Sequence, residues 1–270
     1  MSLNESNYFR PLAVVTGASS GIGFELAKVF ANNGYDLVIV AENERIFSAK
    51  AQIEITGAQV IAYQIDLSHY SDVEEFFSLI DNLDRPVETI ALNAGVGVGG
   101  NFARQTSLED ELNLINLNVV STVHLAKRVV KKMLKVGRGK VLFTSSVASL
   151  TPGPFEAVYA ASKAFVQSFA IALRNELSDS GITITSLMPG ATDTDFFHRA
   201  GMDDTKVGKA KKDDPALVAK QGFDALMEGR DHVIAGSMMN SIQGGITKII
   251  PESMAANLHR QQTEPESSKY

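Results

Sequence analysis

The sequence contains no cysteine among its 270 residues. This absence excludes disulfide bonds and any chemistry that depends on a thiolate. Histidine is scarce as well, and its five residues are scattered along the chain without the spacing of metal ligands. We therefore expect no metal site.

The chain also lacks the apolar run, of about eighteen residues or more, that a membrane-spanning helix requires. Its first residues, MSLNESNYFRP, show no basic stretch followed by an apolar one, so no secretory signal is expected. The formal net charge of −6 gives no electrostatic reason to expect nucleic acid or an anionic membrane as a partner. Together with the missing cysteine, these features favour a cytoplasmic protein.

What the chain does contain is an alternation of short apolar runs with longer amphipathic segments. The apolar runs predict strands at 11–16, 36–41, 59–64, 89–92, 140–144, 182–188 and 232–235. The amphipathic segments predict helices at 21–33, 43–56, 71–83, 107–136, 156–180 and 215–228, with Ser71 as a helix cap. Such alternation implies right-handed crossovers. The expected fold is α/β: a three-layer, Rossmann-like, doubly wound parallel sheet of about seven strands, with helices on both faces.

No repeat of solenoid length and no linker rich in proline, glycine or serine interrupts the chain, so one domain is expected over residues 1–260. Residues 192–214 follow a strand end and are largely polar, which suits a mobile lid; a solvated loop is the alternative. Residues 238–258 fit a substrate cap, a subunit contact or a surface helix. The polar residues 261–270 are expected to be disordered.

A glycine-rich segment, TGASSGIG at residues 16–23, lies between the first predicted strand and the first predicted helix. Glycines there let the backbone turn sharply and approach a pyrophosphate, and the N–H groups that open the helix then face negative charge. A tight turn that binds nothing is the alternative. The candidate cofactor-binding residues of this turn are Gly17, Ser19, Ser20, Gly21, Ile22 and Gly23.

Tyr159 and Lys163 lie four residues apart in a predicted helix and therefore share one face. An ammonium close to a phenol favours the phenolate, so Lys163 is predicted to lower the pKa of Tyr159 and make it a proton donor or acceptor. Ser146 ends the fifth predicted strand, thirteen residues before Tyr159. The alternative is a tyrosine at the edge of the core beside a solvated lysine.

The glycine turn, with the spacing TGxxxGxG, is followed in order by LNAG, by Ser146, by the YxxxK pair and by a PG dipeptide, each at a strand end or on the next helix. Over about residues 12–196, this set resembles the short-chain dehydrogenase/reductase family. The resemblance implies hydride transfer between NAD(P)(H) and a carbonyl or secondary alcohol. Tyr159 would be the general acid or base, Ser146 would bond the reacting oxygen, and Lys163 would also bind the nicotinamide ribose.

The resemblance implies further site residues. Asn118, on the helix after LNAG, would hold a water of a proton relay, with Asn116 as the alternative. An aspartate near the adenine, a turn bordering the cofactor and a segment beside the nicotinamide complete the cofactor site. In the same order, these are Asp66 with Leu67 near the adenine; the turn of Asn93, Ala94 and Gly95; and, beside the nicotinamide, Pro189, Gly190, Thr192 and Thr194. Purely structural turns are the alternative for Asp66, Asn93 and Gly95.

The end of the second strand is expected to meet the adenosine ribose, and it carries Glu42. Relatives that use NADP often carry arginine there, whereas glutamate would repel a 2′-phosphate. The sequence therefore favours NAD over NADP. Glu42 at the start of the second helix, facing solvent, is the alternative.

Two other classes of function fit the same fold: a non-catalytic NAD(P)-binding sensor or scaffold, and an isomerase or lyase that holds its cofactor tightly. A pure binder has no need of Ser146, Tyr159 and Lys163, which favours the enzyme. The resemblance also implies a homodimer or homotetramer through the 107–136 and 156–180 helices.

Overall fold

The computed structural model describes residues 10–237 and 251–269. Its strands are β1 (Leu12–Thr16), β2 (Asp36–Ala41), β3 (Val60–Gln64), β4 (Val87–Leu92), β5 (Gly139–Thr144), β6 (Ile182–Pro189) and β7 (His232–Ala235). They form one sheet in the order β3-β2-β1-β4-β5-β6-β7, and every neighbouring pair is parallel.

Helices connect the strands. They are α1 (Gly21–Asn32), α2 (Arg45–Glu54), α3 (Tyr70–Asp81), α4 (Leu108–Ile115), α5 (Thr122–Val136), α6 (Ala157–Glu176), α7 (Phe196–Arg199), α8 (Lys206–Lys209), α9 (Pro215–Met227) and α10 (Glu252–Thr263).

The central strands are buried on both faces, which is why β1 and β2 are nearly continuous apolar runs rather than alternating ones. One core packs α1, α2 and α9 against the sheet around Phe30 and Ile39. The other packs α3, α5 and α6 against the opposite face around Phe76 and Phe143. The predicted doubly wound, three-layer fold is confirmed.

The order of the strands fixes where a ligand can bind. β1 lies between β2 and β4, so the chain leaves β1 toward one face of the sheet and leaves β4 toward the other. A crevice opens between such diverging loops, beyond the carboxyl ends of the strands. The glycine turn after β1 and the LNAG turn after β4 border this crevice.

The long helix predicted over 107–136 is three segments: α4, a π-helical turn at Asn116–Ser121, and α5. Sequence periodicity does not resolve such a turn, because its apolar pattern hardly departs from that of the flanking helices. Ser107 caps α4 by accepting from the Asp110 N–H at 3.1 Å. The predicted cap of α3 at Ser71 is wrong, because that helix begins one residue earlier and His69 precedes it.

Two predicted irregular regions are ordered. The lid at 192–214 holds α7 and α8, and its two ends are joined by a bridge between Thr192 and Asp213. The predicted disorder at 261–270 is wrong for residues 261–269, where α10 ends and a 3-10 turn follows. Of the segment 238–258, residues 238–250 lie outside the described part of the chain, and the remainder opens α10.

Within the described residues, no helix is both long and apolar enough to cross a membrane. The same ranges contain no group of three or more histidine, aspartate or glutamate side chains arranged to hold a metal ion.

Candidate active site

A cleft of about 810 Å³ opens at the carboxyl ends of the strands. Its walls include the glycine turn, the loops after β2 to β6, the start of α6, the lid and α10. The predicted site residues that line it are Gly17, Ser19, Ser20, Gly21, Ile22, Gly23, Glu42, Asp66, Leu67, Asn93, Ala94, Gly95, Ser146, Tyr159, Lys163, Pro189, Gly190, Thr192 and Thr194. Asn118 is not among the lining residues.

The glycine turn needs its glycines for space and for backbone conformation. Gly17 and Gly21 adopt φ angles of +67° and +56°, in the left-handed region that favours glycine. Gly23 has an ordinary φ, but a Cβ on it would overlap the carbonyl oxygen of Gly17 and come within 2.5 Å of Asn93 Nδ2. The turn is therefore folded tightly onto itself, and its backbone forms the cleft wall.

The N-terminus of α1 fits a phosphate group. The first N–H groups of any helix have no partner within the helix, and the Ser20 side chain caps none of them here. Because Gly21, Ile22 and Gly23 all line the cleft, these groups meet it with the positive end of the helix dipole. An anionic pyrophosphate is the ligand that such a terminus suits.

Thr16 joins the turns after β1 and β4. Its hydroxyl accepts from the N–H groups of Asn93 and Ala94, each at 2.9 Å. The Asn93 amide donates to the Thr16 carbonyl at 3.2 Å, and Asn93 Oδ1 accepts from the Thr144 hydroxyl at 3.1 Å. The Asn93 side chain is thus structural, as the alternative interpretation held, while the segment around it still borders the cleft.

Ser146, Tyr159 and Lys163 come together in the middle of the cleft and are all buried. Ser146 lies two residues after β5, and its hydroxyl accepts from the Ala148 N–H at 3.1 Å, which fixes the side chain beside Tyr159. Lys163 Nζ donates to the Thr144 carbonyl at 3.0 Å and lies 5.8 Å from the Tyr159 ring centroid. The spacing predicted from sequence therefore produces one cluster.

The predicted lowering of the Tyr159 pKa is wrong for this structure. Burial raises the pKa of Tyr159 above its usual range, and the nearby Glu156 carboxylate raises it further. A hydrogen bond with Ser146 acts in the opposite direction but is the smaller influence. Burial also lowers the pKa of Lys163 to about 8, so removal from water is the largest cause of the pKa shift of both groups.

The buried ammonium predicts a pH-dependent stability. Its pKa falls from 10.5 to about 8 on folding, so at pH 7 the charged form destabilises the folded state. We expect Lys163→Met to raise the free energy of unfolding of the cofactor-free protein at pH 7 by about 1–3 kcal/mol. Urea denaturation at several pH values measures this difference.

The sign follows from proton binding. Between pH 8 and 10.5 the unfolded chain binds more protons at this lysine than the folded protein does, so the wild type gains stability as pH rises. The advantage of Lys163→Met should therefore shrink through this window. A difference that stays constant from pH 7 to 10.5 would contradict the burial effect.

Asn118 is only 1% exposed and lies behind the cleft wall. Its Oδ1 accepts from the Val96 N–H at 3.0 Å, and its amide donates to the Val96 carbonyl at 2.9 Å and to Ser162 Oγ at 3.1 Å. Both amide protons are therefore used within the protein. The alternative, Asn116, is exposed, so burial favours Asn118 as the residue with a structural connection to the site.

The part of the cleft next to the ends of β2 and β3 carries acidic side chains. Glu42 follows β2, and its Oε1 lies 4.0 Å from Arg199 Nη1 on α7. Asp66 accepts from the Ser68 N–H at 2.9 Å, so it forms the local turn that was the alternative interpretation and also lines the cleft.

Residues 192–214, the candidate lid, border one side of the site. A Cβ on Gly21 would lie 2.9 Å from the methyl group of Thr194, so the lid packs directly on the glycine turn. The ring of Phe196 lies 5.1 Å from the ring of Tyr159. The start of the lid thus contacts both the glycine turn and Tyr159.

Sequence reasoning missed a polar pair in the cleft, on the side formed by the start of α6 and by α10. Glu156 and His259 both line it, and His259 Nε2 lies 2.6 Å from Glu156 Oε1. No short motif connects two residues that are 103 positions apart. A signal was available only in part: Glu156 lies three residues before Tyr159, immediately before α6.

Comparisons with known proteins agree with this geometry. The sequence model of the family described as short chain dehydrogenase matches residues 11–205. The chain is 28% identical over 218 residues to the NADP-dependent 3-hydroxy acid dehydrogenase of Salmonella typhi, covering 80% of this chain and 87% of that protein. It is 33% identical over 190 residues to the 3-oxoacyl-(acyl-carrier-protein) reductase of Chlamydia trachomatis, covering 68% and 75%.

Solved structures give the same result. A short-chain dehydrogenase from Sphingobium yanoikuyae in complex with NADPH superposes with a TM-score of 0.79 at 28% identity, covering 90% of this chain and 97% of that one. A short-chain dehydrogenase/reductase from Burkholderia phymatum in complex with NAD has a TM-score of 0.81 at 23% identity, covering 96% and 98%, which shows the shared fold. The chain therefore belongs to the short-chain dehydrogenase/reductase family and is an NAD(P)-dependent oxidoreductase.

Proposed function

We propose that this protein transfers a hydride between a nicotinamide cofactor and a carbonyl or secondary alcohol, with Tyr159 as general acid or base. The observation that carries the proposal is the buried cluster of Ser146, Tyr159 and Lys163, set between the glycine turn and the lid. The cofactor, when bound, supplies or accepts the hydride. The protein supplies the position and the proton.

In carbonyl reduction, the Tyr159 hydroxyl donates its proton to the oxygen that becomes an alkoxide. Burial keeps this phenol protonated across the neutral range, which is the state that a proton donor requires. Ser146 adds a second hydrogen bond to the same oxygen, because its hydroxyl proton stays available while its oxygen accepts from Ala148. Alcohol oxidation uses the same groups in reverse, with Tyr159 accepting the proton.

Lys163 and Asn118 act from behind these two residues. A Cβ on Gly95 would lie 3.2 Å from Lys163 Nζ and 3.0 Å from Asn118 Oδ1, so both polar groups meet at this turn. In our proposal, Lys163 binds the nicotinamide ribose hydroxyls. Asn118 positions Val96 and the turn after β4 rather than binding a relay water through its amide, since both amide protons are already donated.

A panel of ketones, aldehydes and secondary alcohols, assayed with NADH and NADPH by absorbance at the nicotinamide band, tests the reaction class. We expect turnover with net oxidation or reduction of the cofactor for at least one carbonyl–alcohol pair. Binding of cofactor without turnover of any compound would favour the sensor or scaffold. Conversion of a substrate with no net change in absorbance would favour the isomerase or lyase.

We expect NADH to be preferred over NADPH, because the Glu42 carboxylate would repel a 2′-phosphate at the end of β2. The cations nearby already face acids: Arg199 approaches Glu42, and Arg45 lies 3.1 Å from Asp195. Glu42→Gln should lower the NADH-to-NADPH ratio of kcat/KM by about tenfold, as expected for removal of one like-charge contact.

Glu44→Gln is the matched control for Glu42→Gln, because Glu44 is exposed near the same loop and does not line the cleft. It should leave the cofactor ratio unchanged. Tighter use of NADPH by the wild type in a steady-state comparison would refute the preference.

We also propose self-association into a homodimer or homotetramer through the helices around α4, α5 and α6. Large apolar side chains stay exposed on these helices, which is typical of subunit contacts. They are Leu108, Leu112, Leu134, Phe165 and Ile171.

A further inference from the structure

The pair formed by Glu156 and His259 lies beside the proposed reaction centre and has no role in the mechanism above. Glu156 is 7% exposed and immediately precedes α6, three residues before Tyr159. Its Oε1 is 2.6 Å from His259 Nε2, and His259 Nδ1 is 3.3 Å from the hydroxyl of Thr151. With Nε2–H donating to Glu156 and Nδ1 accepting from Thr151, every polar atom of the imidazole is used.

The histidine comes from α10, and several further contacts hold that helix in place. Three of them involve the loop that leads into α6, residues 151–156. The Thr263 hydroxyl donates to the Pro154 carbonyl at 2.7 Å, and Arg260 lies 5.3 Å above the ring of Phe155. A Cβ on Gly153 would come within 3.3 Å of His259 Nε2, so the loop backbone lies directly against the imidazole.

We propose that His259 is a positioning residue of the active site: from α10 it holds the Glu156 carboxylate at the start of α6 and so sets the electrostatic environment in which Tyr159 exchanges its proton. This inference rests on the function proposed above. It makes the C-terminal helix, which lies beyond the matched range 11–205, a part of the catalytic apparatus.

Electrostatics connects the pair to the tyrosine. The Glu156 carboxylate disfavours the phenolate and raises the Tyr159 pKa, and it would disfavour an alkoxide beside Tyr159 in the same way. A hydrogen-bond donor on the carboxylate withdraws part of that negative charge. If His259 were absent, the buried Glu156 carboxylate would lack this donor. It would then lie, with its full negative charge, about one helical turn from the proton that Tyr159 exchanges.

The variants of the test described below differ only at positions 156 and 259. The other charges around the cleft are the same in all of them, so differences between the variants report on the pair of Glu156 and His259. The charged or titratable side chains that line the cleft besides Glu156, Tyr159 and His259 are Glu42, Asp66, Lys163, Arg199, Lys211 and Asp213. Arg260 and Glu264 on and after α10 pair with each other at 2.7 Å.

The test is a double-mutant cycle, read from the pH dependence of kcat/KM for oxidation of a secondary alcohol at saturating NAD⁺, whose positive charge favours the Tyr159 phenolate and lowers the midpoint of the profile. Under these conditions kcat/KM rises as Tyr159 loses its proton. Glu156→Gln should move the midpoint to lower pH by about 0.5–1 pH unit, since one negative charge is removed. His259→Leu should move it to higher pH by a similar amount. The variant with both substitutions should have the midpoint of Glu156→Gln alone.

A second readout needs neither substrate nor cofactor. His259→Leu should lower the melting temperature of the cofactor-free protein by about 3–6 °C, because it leaves a buried carboxylate without its partner. Adding Glu156→Gln to that variant should restore part of the loss. If His259→Leu does not fold, His259→Ala replaces it in the cycle with the same expected shifts, since it also lacks the donor. His259→Gln, whose amide can donate to Glu156, is the control and should keep the wild-type midpoint.

An equal midpoint shift from His259→Leu with either glutamate or glutamine at 156 would overturn the proposal. So would a loss of kcat/KM with no change of midpoint, which is what a merely structural helix contact would produce. Failure of the proposed function itself would give a different result: Tyr159→Phe would then keep the turnover and the pH dependence of the wild type.

Discussion

Tyr159→Phe is expected to lower kcat for carbonyl reduction by roughly 100- to 10,000-fold, the range that a positioned general acid contributes. The substitution removes only the hydroxyl that donates the proton, while the ring keeps its packing against Phe196. Cofactor binding should weaken by less than about tenfold, the equivalent of one hydrogen bond. Steady-state kinetics and titration of NADH fluorescence measure the two quantities separately.

The matched control is Tyr63→Phe, which removes a phenolic hydroxyl from β3, outside the residues that line the cleft. It should leave kcat unchanged. Undiminished turnover in Tyr159→Phe would remove the tyrosine from the mechanism and, with it, the basis for the roles given to Ser146 and Lys163.

Gly23→Ala is expected to weaken NADH binding by about 100-fold or more, the equivalent of one or two charge-assisted hydrogen bonds. The added methyl group would overlap the Gly17 carbonyl and crowd Asn93, so the turn must open and its N–H groups move away from a pyrophosphate. Isothermal titration calorimetry with NADH measures the loss, and circular dichroism verifies that the sheet is intact.

Gly34→Ala is the control for this effect. Gly34 has a φ of +85°, but a Cβ there would meet nothing within 4 Å. The variant should therefore lose about 1 kcal/mol of stability from backbone strain and keep its affinity for NADH. An affinity in Gly23→Ala as high as that in Gly34→Ala would show that the turn does not bind the pyrophosphate.

The fold was predictable because its signals are local. A strand buried on both faces is largely apolar, and β2 accordingly begins and ends where the sequence predicts, at 36–41. The edge strand β7 also matches its predicted range, 232–235, although only Ala235 in it is buried. Glycines with a left-handed φ end several helices, as Gly137 does after α5. The π-helical turn before α5 escaped prediction, because its apolar pattern hardly departs from that of the flanking helices.

The candidate site was predictable where one motif supplies a whole element of it, as in the glycine turn or the pair of Tyr159 and Lys163. Two of its properties were not. The pKa of Tyr159 depends on how deeply the folded protein buries the phenol, whereas helical spacing reports only that Lys163 is near. The contact between Glu156 and His259 joins residues 103 positions apart, and no periodicity encodes such a pairing.

Transfer of deuterium from NADH that carries deuterium at both C4 positions of the nicotinamide tests the central claim most directly. A ketone that the wild type reduces is incubated with the labelled cofactor, and the product alcohol is analysed by proton and deuterium NMR. We predict deuterium on the carbinol carbon with the wild type and at least about 100-fold slower labelling with Tyr159→Phe. An unlabelled product, or labelling by Tyr159→Phe at the wild-type rate, would contradict hydride transfer assisted by this tyrosine.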